Sequence, residues 1–232
     1  MLRSIRYGEA DRVLHLYTQD RGRVAAMAKG VRRTKTRFGG RLEPFFRLNV
    51  LLYEGRSELL TVTSAETVDP HVRLRGHAGA LDAAARACDA VARLFETSEP
   101  HPAVYHLLCN VLALLDRDPD GAATLANQLA FRLKLLLAAG LAPQLAACAS
   151  CGDREHLVAF SGAAGGVVCN ACEAGGFPLG ADAHAFMTEA LGRPLAEAPA
   201  ADTRALRQVE RAIADTAEHH GHVRLRVASR AS

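Results

Sequence analysis

The chain has 232 residues, of which 49% are hydrophobic and 23% are charged, and its formal net charge is +3. This length allows one large domain or several small ones, and the composition is typical of a soluble globular protein. The sequence has no apolar run of the ~18 residues that a membrane-spanning helix needs, and its charged N-terminus lacks a signal-peptide pattern. We therefore expect a cytosolic protein.

The first 65 residues have the patterns of short β-strands. Residues 12–18 alternate polar and apolar side chains, and residues 19–22 are of the types found in turns. Residues 23–30 form a second extended run, and residues 46–66 indicate a hairpin. With residues 2–6, this gives five predicted strands. A closed barrel removes the exposed edges of such a set, so the pattern favours an OB-fold, with an SH3-like barrel as the alternative.

Basic residues are concentrated in this N-terminal part. Residues 1–60 contain 13 Lys and Arg against six Asp and Glu, a net of +7, whereas the remainder contains 15 against 19, a net of −4. The densest stretch, residues 29–41 (KGVRRTKTRFGGR), holds six basic residues, no acidic residue and the aromatic Phe38. Such a loop between two strands indicates contact with a polyanion, and a barrel that is merely solvated by arginine is the alternative.

From about residue 76 the apolar residues recur at three- and four-residue steps, which indicates helices. The predicted helices cover residues 78–96, 101–116, 123–140, 183–191 and 202–219. Pro102 suits a first helical turn, Gly140 suits the position after a last turn, and Asp202 is a plausible N-cap. We therefore expect an α+β protein in which a helical bundle follows the barrel.

Four of the six cysteines form two Cys-x₂-Cys pairs with seventeen residues between the pairs. They are Cys148, Cys151, Cys169 and Cys172. Two such turns can place four thiolates around one Zn²⁺, and this coordination leaves no open position, so the site is predicted to be structural. Two disulfides or a redox pair are the alternatives. The cytosolic context argues against disulfides, and the lack of a βαβ pattern argues against the redox pair.

Motifs of the common enzyme classes are missing from the sequence. It has no P-loop, no G-x-S-x-G and no H-E-x-x-H, and the glycines of residues 162–167 lack the strand–helix context of a dinucleotide loop. No pair of residues suggests acid–base chemistry. We therefore expect a protein that is not an enzyme and has no small-molecule substrate.

Several stretches together resemble one known family. They are residues 6–24 (RYGEADRVLHLYTQDRGRV), 28–38 (AKGVRRTKTRF), 42–45 (LEPF) and 131–152 (FRLKLLLAAGLAPQLAACASCG), with CNAC at 169–172. In this order, and over essentially the whole chain, they resemble the RecO family of bacterial recombination-mediator proteins. Members of that family usually have several more residues before the first strand, so we expect either that Met1 is not the true start or that the first strand of this chain is short.

The resemblance implies a domain organisation that agrees with the residue patterns. We expect an OB-fold nucleic-acid-binding domain in residues 1–70 and a helical bundle in 71–145. A four-cysteine zinc module is expected in 146–178, and helices that pack on the bundle are expected in 179–232. Because some relatives lack the full set of cysteines, the metal is expected to support the fold and not a reaction.

The resemblance also implies binding of single- and double-stranded DNA and annealing of complementary strands. With RecR, the protein would help RecA replace single-strand-binding protein, in the bacterial cytoplasm at the nucleoid. The candidate DNA contacts are Arg32, Arg33, Lys35, Arg37 and Arg41, supported by Lys29, Arg21 and Arg23, with Phe38 as the base-stacking residue and Tyr7 and Tyr17 as weaker choices. The alternative is a zinc-stabilised interaction adaptor, or a transcription regulator, with only incidental DNA contact.

Overall fold

The computed structural model describes residues 1–33, 35–36, 38–55 and 59–228. The N-terminal strands are β1 (Arg3–Tyr7), β2 (Asp11–Thr18), β3 (Gly22–Ala28), β4 (Arg47–Tyr53) and β5 (Leu60–Asp69). They form one sheet in the order β1-β2-β3-β5-β4, antiparallel except for the parallel pair β3 and β5. This OB-like sheet, followed by helices, confirms the predicted α+β fold class.

The sheet curls so that its two outermost strands approach each other near the N-terminus. The amino group of Met1 donates a hydrogen bond to the Phe46 carbonyl (2.7 Å), and the Phe45 amide donates one to the Met1 carbonyl (3.0 Å). Apolar side chains fill the space inside: Leu14, Leu16, Val24, Ala26, Ala28, Phe38, Leu42 and Val62. The barrel therefore has a small hydrophobic core of its own.

The rest of the chain is largely helical. The helices are α1 (Val72–Gly76), α2 (Ala78–Leu94), α3 (Pro102–Arg117), α4 (Pro119–Ala122), α5 (Leu125–Ala138), α6 (Ala181–Gly192) and α7 (Thr203–Gly221). The five predicted helices are confirmed, and so are two predicted ends: Asp202 accepts a hydrogen bond from the Ala205 amide (2.7 Å), and Gly140 has a φ of 73°. In the described part of the chain, no helix has the length and apolarity to cross a membrane.

The barrel packs against the end of α2 and the segment that follows it. The Tyr17 ring lies edge-on to the Phe95 ring, with 6.4 Å between the centroids. The Arg23 guanidinium donates to the Ala92 carbonyl (3.0 Å), and the Ser98 hydroxyl donates to the Arg23 carbonyl (3.1 Å). These contacts fix the β2–β3 end of the barrel against the helices.

The cysteine-containing region forms a second sheet that the sequence patterns did not predict. Its strands are β6 (Leu157–Ser161), β7 (Gly166–Cys169) and β8 (Phe177–Pro178), in the order β7-β6-β8. Phe160, Val167 and Phe177 are buried in the same hydrophobic core as the helices. This sheet therefore packs against the helical bundle, and it carries one of the cysteines, Cys169, at the end of β7.

Candidate metal centre and nucleic-acid interface

The four cysteines of the two Cys-x₂-Cys pairs converge on one point. The Sγ atoms of Cys148, Cys151, Cys169 and Cys172 all lie within 4.8 Å of one another. Zn–S bonds of about 2.3 Å in a tetrahedron place neighbouring sulfurs about 3.8 Å apart. Since Cys151 and Cys169 Sγ are 3.7 Å apart, the cluster has the dimensions of a four-cysteine metal site. Cys148 and Cys169 are buried, whereas Cys151 is exposed.

Tight backbone turns hold both pairs in place. In the first turn, the Gly152 amide donates to the Cys148 carbonyl (2.8 Å), and Gly152 has a left-handed φ of 81° that glycine adopts without strain. In the second, the Cys172 amide donates to the Cys169 carbonyl (3.0 Å). Cys169 is also the last residue of β7, so the sheet fixes the position of the second pair.

The protonation behaviour of the thiols fits a site built for a cation. Burial disfavours the Cys148 thiolate, but hydrogen bonds from the backbone of Cys169, Cys151 and Ser150 outweigh it and lower the pKa of that thiol to about 6. Hydrogen bonds to Cys151 and Cys169 raise the pKa of the Cys172 thiol to about 12. The two shifts run in opposite directions because hydrogen bonds favour the thiolate at Cys148 and the neutral thiol at Cys172. A divalent metal ion would favour the thiolate form of all four ligands.

The basic loop, residues 29–41, lies against the turn between β1 and β2. The Gly30 amide donates to the Asp11 carboxylate (2.7 Å), and the Arg32 amide donates to the Ala10 carbonyl (3.0 Å). The predicted contacts that are exposed on this loop are Lys29, Arg32, Arg33, Lys35 and Arg41. Arg37, the remaining predicted phosphate contact, lies outside the described residues. The loop thus presents a positively charged surface at one end of the barrel.

Phe38 is not available to stack on a base, and that prediction is wrong for this structure. Its side chain is 1% exposed and packs in the barrel core with Leu14 and Leu42. Burial of the phenyl ring is more favourable in free energy than its exposure to water. The chain therefore turns inward at Phe38, between the basic residues of the loop. The glycines that follow, Gly39 and Gly40, are exposed.

Two further predicted contacts lie at the other end of the barrel. Arg21 is exposed on the β2–β3 turn, with its guanidinium 3.8 Å from the Glu54 carboxylate. Arg23 is half-buried, and its guanidinium is used in the hydrogen bond to Ala92 on α2. This hydrogen bond joins the barrel to the helices, and the supporting role of Arg23 in DNA binding stays a prediction. Neither arginine is on the basic loop.

A cavity of about 470 Å³ lies between β2, β4 and α3. Leu16, Tyr17 and Leu48 line it from the barrel, and Tyr105 and Cys109 line it from α3. Tyr17, one of the two weaker candidates for base stacking, is 7% exposed. Like Phe38, it is buried and unavailable to a base. Sequence patterns could not reveal the cavity, because its walls come from segments that are distant in the chain.

Comparisons with known proteins agree with these two parts of the structure. The family model described as recombination protein O N terminal matches residues 1–71, and the one described as recombination protein O C terminal matches residues 78–227. The DNA repair protein RecO of Rubrobacter xylanophilus is 38% identical over 91% of this chain and 87% of its own length. That of Anaeromyxobacter dehalogenans is 38% identical over 95% and 89%, and that of Bifidobacterium animalis subsp. lactis is 40% identical over 73% and 70%.

Proposed function

The chain belongs to the RecO family of DNA repair proteins, and from this we propose that it is a recombination mediator that binds single- and double-stranded DNA and anneals complementary strands. In this role it acts with RecR to help RecA replace single-strand-binding protein. The process takes place in the bacterial cytoplasm, at the nucleoid. No covalent chemistry is required of the protein.

The positive charge exposed on the basic loop of the OB-like barrel is the observation that supports DNA binding. Its exposed cations, Lys29, Arg32, Arg33 and Lys35, are gathered at one end of the barrel by the hydrogen bonds to Asp11 and Ala10. Phosphate contacts of this kind dominate affinity for nucleic acids and do not depend on base sequence. The same surface therefore serves single and double strands.

Annealing follows from the same electrostatics. Two complementary strands repel each other through their phosphates, and cations between them reduce that repulsion and release condensed counterions. A protein surface that holds a single strand by its backbone leaves the base edges free to pair. The positive charge of the barrel then lowers the barrier to pairing with a second strand.

We assign a structural role to the metal. The proposed ion is one Zn²⁺ held by Cys148, Cys151, Cys169 and Cys172, and four sulfur ligands leave no position for a substrate. The cysteine cluster lies on the small sheet that packs against the helices, whereas the basic loop lies on the barrel. The ion therefore stabilises the fold and takes no direct part in DNA binding.

The decisive experiment compares two triple variants of equal charge change. Arg32, Arg33 and Lys35 are changed to Ala in one, and the exposed Arg154, Arg204 and Arg207, which lie outside the barrel, are changed to Ala in the other. Loss of three phosphate contacts should reduce the salt slope of single-strand affinity by about 2, because each contact contributes about 0.7. Annealing of complementary oligonucleotides, with and without single-strand-binding protein, should slow in the first variant only.

Either of two results would argue for the adaptor alternative. In the first, neither the loop variant nor the control variant loses affinity for single strands at low salt. In the second, the unchanged protein binds DNA but does not accelerate annealing at any concentration. Loss of affinity in the control variant, but not in the loop variant, would move the DNA contact away from the barrel.

A further inference from the structure

Two exposed tyrosines are the remaining candidates for the base contact that buried Phe38 cannot make. The first 70 residues contain six aromatic side chains, and four of them are buried: Tyr17, Phe38, Phe45 and Phe46. The other two, Tyr7 and Tyr53, are 58% and 62% exposed. A planar ring held on a strand is the usual platform for an unpaired base, so these two positions are the candidates on the barrel.

Tyr7 lies on the hairpin to which the basic loop is hydrogen-bonded. It is the last residue of β1 and pairs with Asp11, the first residue of β2. The Asp11 carboxylate accepts the hydrogen bond from the Gly30 amide (2.7 Å), and the Arg32 amide bonds to Ala10 in the turn between these two strands (3.0 Å). The hydrogen bonds therefore fix the ring of Tyr7 and the cations of the loop to the same hairpin.

The outer face of the barrel continues from Tyr7 as a partly apolar surface. Ile5 pairs with Val13, and Val13 pairs with Met27. Side chains at directly paired positions lie on the same face of a sheet, so these three form a row across β1, β2 and β3 next to Tyr7. Ile5 is exposed, and Val13 and Met27 are half-buried. Such a row can receive the faces of further bases.

Tyr53 has a different setting. It lies at the end of β4, the opposite outermost strand, with β2, β3 and β5 between it and β1. The next residue, Glu54, faces Arg21 at 3.8 Å, so the charge beside Tyr53 is partly neutralised. The Tyr53 ring is about as exposed as that of Tyr7 but has less positive charge around it. Tyr53 is therefore a matched control for Tyr7.

We infer that Tyr7 is the residue on which single-stranded DNA stacks a base, while Lys29, Arg32 and Arg33 hold the phosphates next to that base. The strand then continues over the row of Ile5, Val13 and Met27. This inference rests on the proposed function and deepens it, because it assigns the base contact that the buried Phe38 does not make. Duplex DNA, whose bases are already stacked, uses the cations without Tyr7.

The test compares four variants, Tyr7→Ala, Tyr7→Leu, Tyr7→Phe and Tyr53→Ala, with the unchanged protein. For each protein we would measure the affinity for an oligothymidylate and for an abasic oligonucleotide of equal length. Loss of one stacked base weakens binding about 5- to 150-fold, so Tyr7→Ala and Tyr7→Leu should bind oligothymidylate more weakly by that factor. Tyr7→Phe should bind normally, because the ring is kept. The salt slope should not change in any of the four, because no phosphate contact is removed.

The abasic oligonucleotide and duplex DNA identify the cause of the loss. The unchanged protein and Tyr7→Ala should bind each of these two probes equally well, because neither offers an unpaired base to the ring. A melting temperature equal to that of the unchanged protein confirms that each variant is folded, as expected for an exposed side chain.

Two outcomes overturn the inference and leave the proposed function intact. Tyr7→Ala could bind oligothymidylate normally while the loop variant at Arg32, Arg33 and Lys35 loses affinity. Alternatively, Tyr53→Ala could carry the loss in place of Tyr7→Ala. Failure of the unchanged protein to bind oligothymidylate or duplex DNA at low salt would instead contradict the proposed function itself.

Discussion

Tyr17 places a buried hydroxyl group where the barrel meets the helices. Its ring packs against Phe95, and its hydroxyl has no hydrogen-bond partner in the described part of the chain. Burial disfavours the charged phenolate and raises the pKa of Tyr17 to about 12. An unpaired buried hydroxyl costs about 1–3 kcal/mol relative to one exposed to water. The ring therefore stabilises the contact, and the hydroxyl does not.

We expect Tyr17→Phe to leave the free energy of unfolding unchanged at pH 7 or to raise it by about 1 kcal/mol. A free tyrosine ionises near pH 10, and buried Tyr17 ionises only near 12, so the native state holds its proton longer than the unfolded state. The stability of the unchanged protein should then fall between pH 10 and 12, and that of Tyr17→Phe should fall less. Urea unfolding at pH 7 and pH 11 measures both effects.

The matched control is Tyr105→Phe on α3. Tyr105 is half-buried, and its hydroxyl lies close enough to the Arg47 guanidinium to raise the pKa of Arg47, so removing this polar contact should cost about 0.5–1.5 kcal/mol at pH 7. If Tyr17→Phe destabilises the protein as much as Tyr105→Phe does, the Tyr17 hydroxyl has a partner and the explanation fails.

Phe38 should behave as a core residue in every measurement. Phe38→Ala removes a side chain that is 1% exposed, and we expect it to lower the free energy of unfolding by about 3–5 kcal/mol. Phe38→Leu keeps much of the volume and should cost less, while leaving single-strand affinity unchanged in the folded protein. Urea unfolding and oligonucleotide titration of the same samples check both points. Normal stability together with weakened DNA binding would restore the stacking role.

At the scale of elements, the β2–β3 turn shows how closely the barrel and the helical part approach. Gly22 has a φ of 56°, and a Cβ placed on it would lie 2.0 Å from the Glu99 carbonyl oxygen. The neighbouring Arg23 amide donates to the Thr97 carbonyl (3.3 Å). Only a residue without a side chain fits this backbone-to-backbone contact.

Gly22→Ala should therefore destabilise the protein more than an alanine at a glycine of the same conformation. Gly39 has a φ of 55°, and no described atom lies within 4 Å of the position of its Cβ. Both substitutions share the cost of about 1 kcal/mol for alanine in the left-handed region, so the difference between them reports the clash with Glu99. Thermal melting of both variants measures it. Equal melting temperatures would show that the contact is loose.

Periodicity was sufficient to predict most elements, because the barrel strands and the long helices each expose one face and bury the other. The second sheet was not predicted because its strands do not have one exposed and one buried face. All four residues of β7 (Gly166–Cys169) are buried, so no alternation marks the strand. The cysteines were recognisable because metal coordination fixes their spacing. Phe38 was misjudged because the burial of one loop residue depends on tertiary contacts that composition does not record.

At the scale of the whole molecule, the second sheet connects the cysteine cluster to the helical core. Cys169 ends β7, two residues after Val167, which packs among the helices. On the neighbouring strands, the Phe160 and Phe177 rings lie 5.8 Å apart in the same core. The barrel core, in contrast, is a separate cluster of buried side chains. Loss of structure at the cysteines should therefore destabilise the helical part more than it destabilises the barrel.

Loss of the metal should accordingly weaken the helical part and spare DNA binding. Cys169→Ser removes one ligand, and we expect less than one metal ion per chain and a free energy of unfolding lower by about 4 kcal/mol or more. Cys109→Ser, on α3 and outside the cluster, should keep the full metal content. Elemental analysis, thermal melting and oligonucleotide titration below the new melting temperature give the three readouts. The cysteine cluster lies beside the second sheet, whereas the cations of the basic loop lie on the barrel, so we expect affinity to be retained. Loss of single-strand affinity in folded Cys169→Ser would instead make the metal centre part of the DNA-binding surface.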